Sequence, residues 1–352
     1  MSAEIVMQDA ARGPARPMRS PTTPSAMGGA EGPAVGETAG ASRPVVQPDP
    51  LELTHRNHFR FGYVAPGEDE PRWFVSREAG DWRWTVAYGR AAREPGDFRA
   101  ECIETARLVA ASTDLNLWVL FSGGIDSEVV VQAFLFSGIP FRVAITRFRH
   151  DLNRHDIAWA IKFCEAHGVR YRLLDLDIER FFSSGAALDY AERARCVQPQ
   201  LLHTMWAMDQ VDGYPVLGSG ECYLARRPGP AGFWEMHEKE RIAAWFRHLL
   251  ATGRAGCAGF FQYTPEVMLA YLRDPLVAAL AEDRLGDEED SSAVKPVAYR
   301  GHFLLEPRPK YHGFEHVLHL DDALRPELER RFGAWNAIAA TPYASLAAEL
   351  SP

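Results

Sequence analysis

The chain lacks a thiol framework. Its five cysteines, Cys102, Cys164, Cys196, Cys222 and Cys257, are scattered, odd in number and never fall in a CxxC pair. That pattern argues against a disulfide scaffold or a zinc ribbon and fits a reducing compartment, so the cytoplasm is the expected location. Long hydrophobic runs are lacking too. The longest strongly apolar stretch, Val129–Phe136, is interrupted by Gln132 and falls far short of the ~20 residues a membrane span needs. The opening residues, MSAEIVMQDAARGPARP, have no apolar core of a secretory signal. Positive charge is in deficit, with 38 Lys and Arg against 47 Asp and Glu and a net charge of −9. No global basic field exists to hold nucleic acid, so neither nucleic acid nor a membrane is an expected partner, a local basic patch apart.

Several catalytic signatures are also missing. There is no GxxxxGK[ST] loop, no Rossmann fingerprint and no GxSxG elbow. His237-Glu238 does not begin a zinc helix, because position 241 is Arg241 where a second histidine would stand. The twelve histidines are dispersed, with a small group at His302, His312, His316 and His319 that fits surface or supporting roles better than a metal centre.

What is there falls into four parts. Residues 1–50 are rich in Pro, Gly, Ala and Ser and poor in aromatics. Such a segment buries too little apolar surface to offset its ordering entropy and is expected to be a disordered tail. Residues 51–95 carry short alternating runs, at His58–Val64, Arg72–Val75 and Trp82–Val86, separated by Pro66-Gly67 and Ala79-Gly80; they predict a small antiparallel β meander whose aromatics pack its own face. Residues 96–230 alternate helix and strand. Helices are expected over Phe98–Ala111, Ser127–Phe136, Arg154–His167 and 200–209, and near-continuous apolar strands at Leu117–Phe121, Phe141–Ile145, Val169–Leu174 and Pro215–Leu217. Apolar strands interleaved with helices predict an α/β fold with a mostly parallel sheet covered on both faces. Residues 231–352 predict a mostly helical C-terminal region that completes the site, with helices over Phe233–Leu250, Pro265–Leu272, Asp274–Leu280 and 321–350.

The sharpest signal is Leu120-Phe121-Ser122-Gly123-Gly124-Ile125-Asp126-Ser127, between a buried strand and a helix start. Gly123 and Gly124 allow a tight turn and close approach of backbone N–H groups to a phosphate. The helix start adds free N–H donors and the positive end of a dipole. Ser122 and Ser127 can donate hydroxyl hydrogen bonds, and Asp126 can hold a magnesium ion beside a polyphosphate.

This segment resembles the SGGxDS signature of the PP-loop ATP pyrophosphatases, a superfamily that includes asparagine synthetases, β-lactam synthetases, GMP synthetases, tRNA-thiolating enzymes and sulfonucleotide reductases. The resemblance implies a doubly wound, adenine nucleotide alpha hydrolase-like sheet that cradles pyrophosphate at its first strand-to-helix turn, with ATP and Mg2+ as cofactors. Four further segments resemble the synthetase domain of asparagine and β-lactam synthetases. Asn153-Arg154-His155-Asp156 is similar to an acidic helix start after the second strand, although helix capping explains the same residues. Gly218-Ser219-Gly220-Glu221 is similar to a glycine-rich acidic turn, where Glu221 would share the metal with Asp126. Phe261–Glu266 lies where the branch contacts substrate, but Thr264 and Pro265 also read as a plain helix start, leaving Glu266 as the candidate. The run from Lys295 to Arg300, then Glu306-Pro307-Arg308-Pro309-Lys310-Tyr311-His312-Gly313-Phe314, resembles a late basic segment. There Lys310, with Arg308, would stabilise charge on the α-phosphate and the leaving pyrophosphate.

The chain departs from asparagine synthetases at its start, where position 2 is Ser2 in place of the nucleophilic cysteine of their glutaminase domain. A separate ammonia or amine donor is therefore expected. The resemblance implies an adenylating ligase acting on a small molecule or nucleobase. Two alternatives stand beside it: a PP-loop sulfur transferase or sulfonucleotide reductase, which needs reactive cysteine, and a nucleotide-binding protein without turnover.

Overall fold

The computed structural model describes residues 58–74, 81–227, 233–286 and 288–352. The expected tail at 1–50, residues 51–57, Val75 and the Ala79-Gly80 turn lie outside them. Phe59, Phe61 and Tyr63 alternate with Arg60 and Gly62 and are buried, so one face of this stretch must be covered. It forms β1 (Arg60–Val64), paired antiparallel with β2 (Arg72–Trp73) and β3 (Arg83–Ala87). The strand order is β2-β1-β3, so the expected meander is corrected: the first strand, not the second, is central. The physical reason is local. β1 carries the aromatic face, and Phe59 and Phe61 pack against Phe246 with tilted rings at centroid distances of 5.6 Å each.

The nucleus of the fold is a four-stranded parallel sheet flanked by helices. Along the chain run α1 (Phe98–Ala111), β4 (Leu117–Leu120), α2 (Ile125–Ser137), β5 (Arg142–Phe148), α3 (Arg154–His167), β6 (Tyr171–Leu176), α4 (Ile178–Ser183), α5 (Ala186–Ala194), α6 (Leu202–Gln210) and β7 (Tyr214–Leu217). The sheet order is β6-β5-β4-β7, all parallel. Strands β4 and β7 are apolar in both parities, so each face buries a different cluster. Leu117 and Val119 join Val129, Val130 and Phe134 of α2, whereas Trp118 joins Ala144, Leu174 and Ala207 of α6. An α/β architecture with helices over both faces of a parallel sheet follows.

The C-terminal part contains β8 (Leu224–Arg226), β9 (Trp234–Lys239), α7 (Ala243–Thr252), α8 (Pro265–Leu272), α9 (Pro275–Ala281), α10 (Lys295–His302), α11 (Leu318–Phe332), β10 (Ile338–Pro342) and α12 (Tyr343–Leu350). Two helical expectations are corrected here. Residues 234–239 are a strand, because Trp234, Met236 and Glu238 are buried while their neighbours are half-buried, a period of two. Residues 338–342 pair with that strand and break the helix expected over 321–350; β10, β9 and β8 form a second antiparallel sheet. Among the described residues no helix is long and apolar enough to cross a membrane.

Candidate active site

The phosphate-loop candidate sits where β4 turns into α2. Gly123 has φ +99°, and a Cβ there would lie 2.4 Å from the Asp156 carbonyl oxygen, so only glycine fits. Gly124 is the N-cap of α2 and has no side-chain cap. Its own N–H donates to Ser122 Oγ at 3.2 Å, and Ser127 Oγ donates to the Gly124 carbonyl at 3.0 Å. Ser122 and Ser127 hydroxyls stand 3.1 Å apart. The loop is thus tied by its own hydroxyls. On the β7 side, a Cβ on Gly218 would lie 2.7 Å from Ser127 Cα. The glycine lets the end of β7 approach the start of α2 and brings Ser219 and Glu221 to the site.

The two expected metal carboxylates meet on a third residue. Lys295 Nζ donates to Asp126 Oδ2 at 2.9 Å and to Glu221 Oε1 at 3.3 Å. Burial disfavours the charge on Lys295, but Asp126 and Glu221 outweigh it and hold its pKa above the usual range. Lys295 heads α10, with Pro296 behind it in the first turn. A cation in the first turn opposes the helix dipole, and that misfit is the sequence signal that it serves another purpose. The other oxygen, Asp126 Oδ1, is buried without a hydrogen-bond partner.

Arg308 comes from the late basic segment but works from beneath the loop. Its Nη1 donates to the Gly123 carbonyl at 2.8 Å and its Nη2 to Glu128. The two side chains are 5% and 4% exposed, so this is a buried ion pair. Burial pushes the Glu128 carboxyl up despite the hydrogen bond from Arg308. The guanidinium also stacks 4.9 Å from the Trp159 ring centroid. Gln132, the lone polar residue in the longest apolar run, braces the same segment, because its amide exchanges hydrogen bonds with the backbone of Leu304, ahead of Arg308. Lys310 is exposed at the mouth of the site.

The start of α3 closes the remaining side. Asn153 reaches back to β5, accepting from the Phe148 N–H at 2.8 Å and donating to the Thr146 carbonyl at 2.9 Å. Asp156 lies between two glycines, with a Cβ on Gly313 only 3.1 Å from its Oδ2. Burial first, and the Glu315 carboxylate second, push the Asp156 carboxyl up to about 7, against the pull of His155 and Arg308. Glu315 pairs with His155 Nε2 at 2.7 Å. Burial raises its carboxyl, but the bonds from His312 and His155 win and hold it down to about 2. His155 in turn contacts Tyr311 and His316 edge-on at 4.8 Å each. His312 and His316 thus belong to the strap at 311–316, while His302 bonds Asp274 at 3.0 Å.

Two cavities meet at the loop and share Gly124, Asp156 and Tyr311. The first, of about 200 Å³, runs from Ser122, Ser127 and Ser219 to Phe148, His203 and Trp245. The second, of about 160 Å³, contains Asp126, Lys295, Arg308 and Lys310. Glu221 is joined to the cluster through Lys295. Glu266 stands apart from it: its Oε1 accepts from the Ala92 N–H at 2.8 Å and fixes the entry to α1. Among the described residues no group of three or more His, Cys, Asp or Glu is arranged to hold a metal ion. The residues do fit a magnesium ion whose other ligands come from a polyphosphate, because Asp126 offers an unpartnered buried oxygen beside the loop. Comparison with models of known protein families and with curated proteins finds no match.

Proposed function

We propose that the protein is an ATP-dependent adenylating enzyme of the PP-loop class, built on a doubly wound, adenine nucleotide alpha hydrolase-like sheet. Strand order supports the fold assignment. The chain adds β5 and β6 on one side of β4 and then returns to place β7 on the other. That reversal opens a crevice at the carboxyl ends of β4 and β7, where ligands bind in such sheets. Ser122–Ser127 and Gly218–Glu221 both flank it. The observation that carries the reading is the uncapped glycine turn at the head of α2, set beside Asp126 with its free oxygen and beside a cavity reaching from serine hydroxyls to an aromatic end.

In this reading the nucleoside occupies the first cavity, with its base toward Phe148, His203 and Trp245. The loop N–H groups and the Ser122 and Ser127 hydroxyls grip the phosphates. A carboxylate or carbonyl oxygen of a small molecule or nucleobase attacks the α-phosphorus. The bond from that phosphorus to the bridging oxygen breaks, and pyrophosphate leaves with the electron pair. An amine, or ammonia from a separate donor, then displaces AMP and leaves a C–N bond. Lys310 at the mouth stabilises charge on the phosphates, and Arg308 is a positioning residue, fixing the Gly123 carbonyl. Asp126 and Glu221 would hold Mg2+, which when bound neutralises phosphate charge; Lys295 keeps the two carboxylates together.

The sulfur-transfer alternative gains no support from the cysteines. All five are buried and free, and burial holds the thiol up to about 12 at Cys164 and Cys257 and about 11 at Cys196. A nucleophilic cysteine needs the opposite environment. The reading is tested by pyrophosphate release from ATP across a metabolite and nucleoside panel, with Asp126→Asn as control. AMP and pyrophosphate are the expected products. Formation of ADP and phosphate, or no turnover with any acceptor, would sink it.

A further inference from the structure

Asp156 is a buried carboxylate without a partner. It is 8% exposed, and among the described residues its oxygens make no hydrogen bond or ion pair. Helix capping does not account for it. Asn153 is the N-cap of α3, and the Asp156 side chain, three residues on, accepts from no backbone N–H there. The charged groups around it are committed elsewhere. From the strap comes Glu315, which repels it; from α3 comes His155, bonded to Glu315; from the segment before the strap comes Arg308, bonded to Glu128. Burying a carboxylate unpaired is costly, so the position calls for a cation from outside. The surroundings admit one. Asp156 lines both cavities, together with Gly124 and Tyr311. A glycine faces each of its oxygens: a Cβ on Gly123 would stand 3.5 Å from Oδ1, and one on Gly313 would stand 3.1 Å from Oδ2. The strap therefore passes the carboxylate without setting a side chain against it.

We propose that Asp156 seats the ammonium head of a primary amine, the nucleophile of the second step. This rests on the ATP reading above and narrows the co-substrate to an amine that reaches the site protonated. A ribose hydroxyl at Asp156 would supply a hydrogen bond but leave the buried charge unmatched. A magnesium ion has its own carboxylates in Asp126 and Glu221, drawn together by Lys295. A primary ammonium supplies both the charge and three N–H donors. The place also fits the step. Asp156 stands where the cavity assigned to the nucleoside meets the one that contains Lys295, Arg308 and Lys310, beside the loop that grips the phosphates. An amine seated there is next to the carbon activated through the α-phosphate.

The test follows this carboxyl directly by NMR of the full chain carrying 13C at its aspartate carboxyls. The Asp156 resonance is the one lost in Asp156→Asn; should that variant not fold, Asp156→Glu removes the same signal. Methylammonium, tetramethylammonium and magnesium chlorides are added in turn at matched ionic strength, and AMP and α,β-methylene ATP are titrated into the same protein by calorimetry. Burial and Glu315 push the carboxyl up to about 7. A cation seated beside it favours the ionised form, so methylammonium is expected to lower that titration by about 1 pH unit or more, a tenfold change in proton affinity. Tetramethylammonium, which has the charge without an N–H, should leave it in place. No response to methylammonium, or an equal response to tetramethylammonium, overturns the seat. A response to magnesium in preference to methylammonium overturns it too and makes Asp156 a metal ligand. A selective methylammonium response in a chain that binds neither AMP nor the ATP analogue retains the seat and removes the ATP reading instead.

Discussion

The ammonium of Lys295 lies 2.9 Å from Asp126 Oδ2, across 169 residues of sequence, and reaches Glu221 at 3.3 Å from the same nitrogen. Two carboxylates without that cation would repel each other at the mouth of the phosphate loop. Lys295→Met is therefore expected to remove at least about 10²-fold of pyrophosphate release, the scale of one electrostatic group at a reacting centre. Asp126 and Glu221 are 27% and 32% exposed, so solvent screens part of the repulsion, and the stability loss is expected at about 1–2 kcal/mol. Urea denaturation and the release assay, run on the same preparation, separate the two effects. A variant with wild-type turnover would show that the pair is only structural.

Gly123 tests the turn itself. At φ +99°, with the Asp156 carbonyl 2.4 Å from where a Cβ would stand, Gly123→Ala requires both a left-handed alanine and a shift of the α3 start. Strain of this kind costs about 1–3 kcal/mol. The expected outcome is a lower thermal midpoint and loss of ATP analogue binding. Gly138→Ala serves as a comparison, because φ there is +72° with nothing within 4 Å of the added Cβ. It should lower the midpoint and leave binding alone. Equal effects on binding from both substitutions would argue that Gly123 has no special part in the loop.

Arg308 and Glu128 are a buried pair, and breaking it leaves a charge without a partner. Arg308→Met is expected to destabilise the chain by about 3–5 kcal/mol, whereas Arg308→Met/Glu128→Gln should recover much of that loss. Activity should not recover with stability, because the double variant still lacks the donor to the Gly123 carbonyl. A double variant both stable and fully active would mean that Arg308 holds only Glu128.

How far the sequence could be read depends on how local each cause is. Helices α1, α3 and α8 are legible because their ends are set by neighbours: Asp97 accepts from the Ala100 N–H at 2.8 Å, Gly168 takes the left-handed cap, and Thr264 caps a turn that begins with Pro265. The glycine turn at 122–127 is legible for the same reason. Strand β9 is not, since its six residues lie next to the apolar run of α7 and together mimic one long stripe; only the burial of Trp234, Met236 and Glu238 reveals the period of two. The role of Lys295 is hidden by distance, its partners being 169 and 74 residues away. The late basic segment points to Lys310 and Arg308, yet a sequence cannot show that Arg308, at the edge of a cavity, is also tied under the loop to Glu128 and the Gly123 carbonyl.

Cysteine replacement separates ligation from sulfur transfer. Cys196→Ser and Cys222→Ser are expected to leave pyrophosphate release within about twofold while lowering stability by about 1–3 kcal/mol each, because a hydroxyl enters a buried site without an assured partner. Cys196 Sγ already contacts the Gln198 carbonyl at 3.3 Å, so the loss should be smaller there. Abolished turnover in a variant that remains folded would bring the sulfur-transfer reading back.

Asp156 gives the pH test. Its carboxyl is raised from 3.8 to about 7, so the folded chain holds this proton over a range in which the unfolded chain has released it. Stability from this group is present at low pH and falls as pH rises from about 4 to about 7; above that, both states are ionised and the loss levels off. Asp156→Asn cannot ionise. The difference in unfolding free energy, variant minus wild type, should therefore move in favour of the variant by about 1–3 kcal/mol between pH 5 and pH 8. Subtracting the wild type also removes the contribution of Glu238, whose buried carboxyl is raised to about 8 and has the same sign. Urea denaturation at four pH values measures it. A difference that stays flat, or moves the other way, would show that Asp156 is ionised in the folded chain throughout. The anionic character of the junction between the two cavities would then be permanent, with no switch near neutral pH.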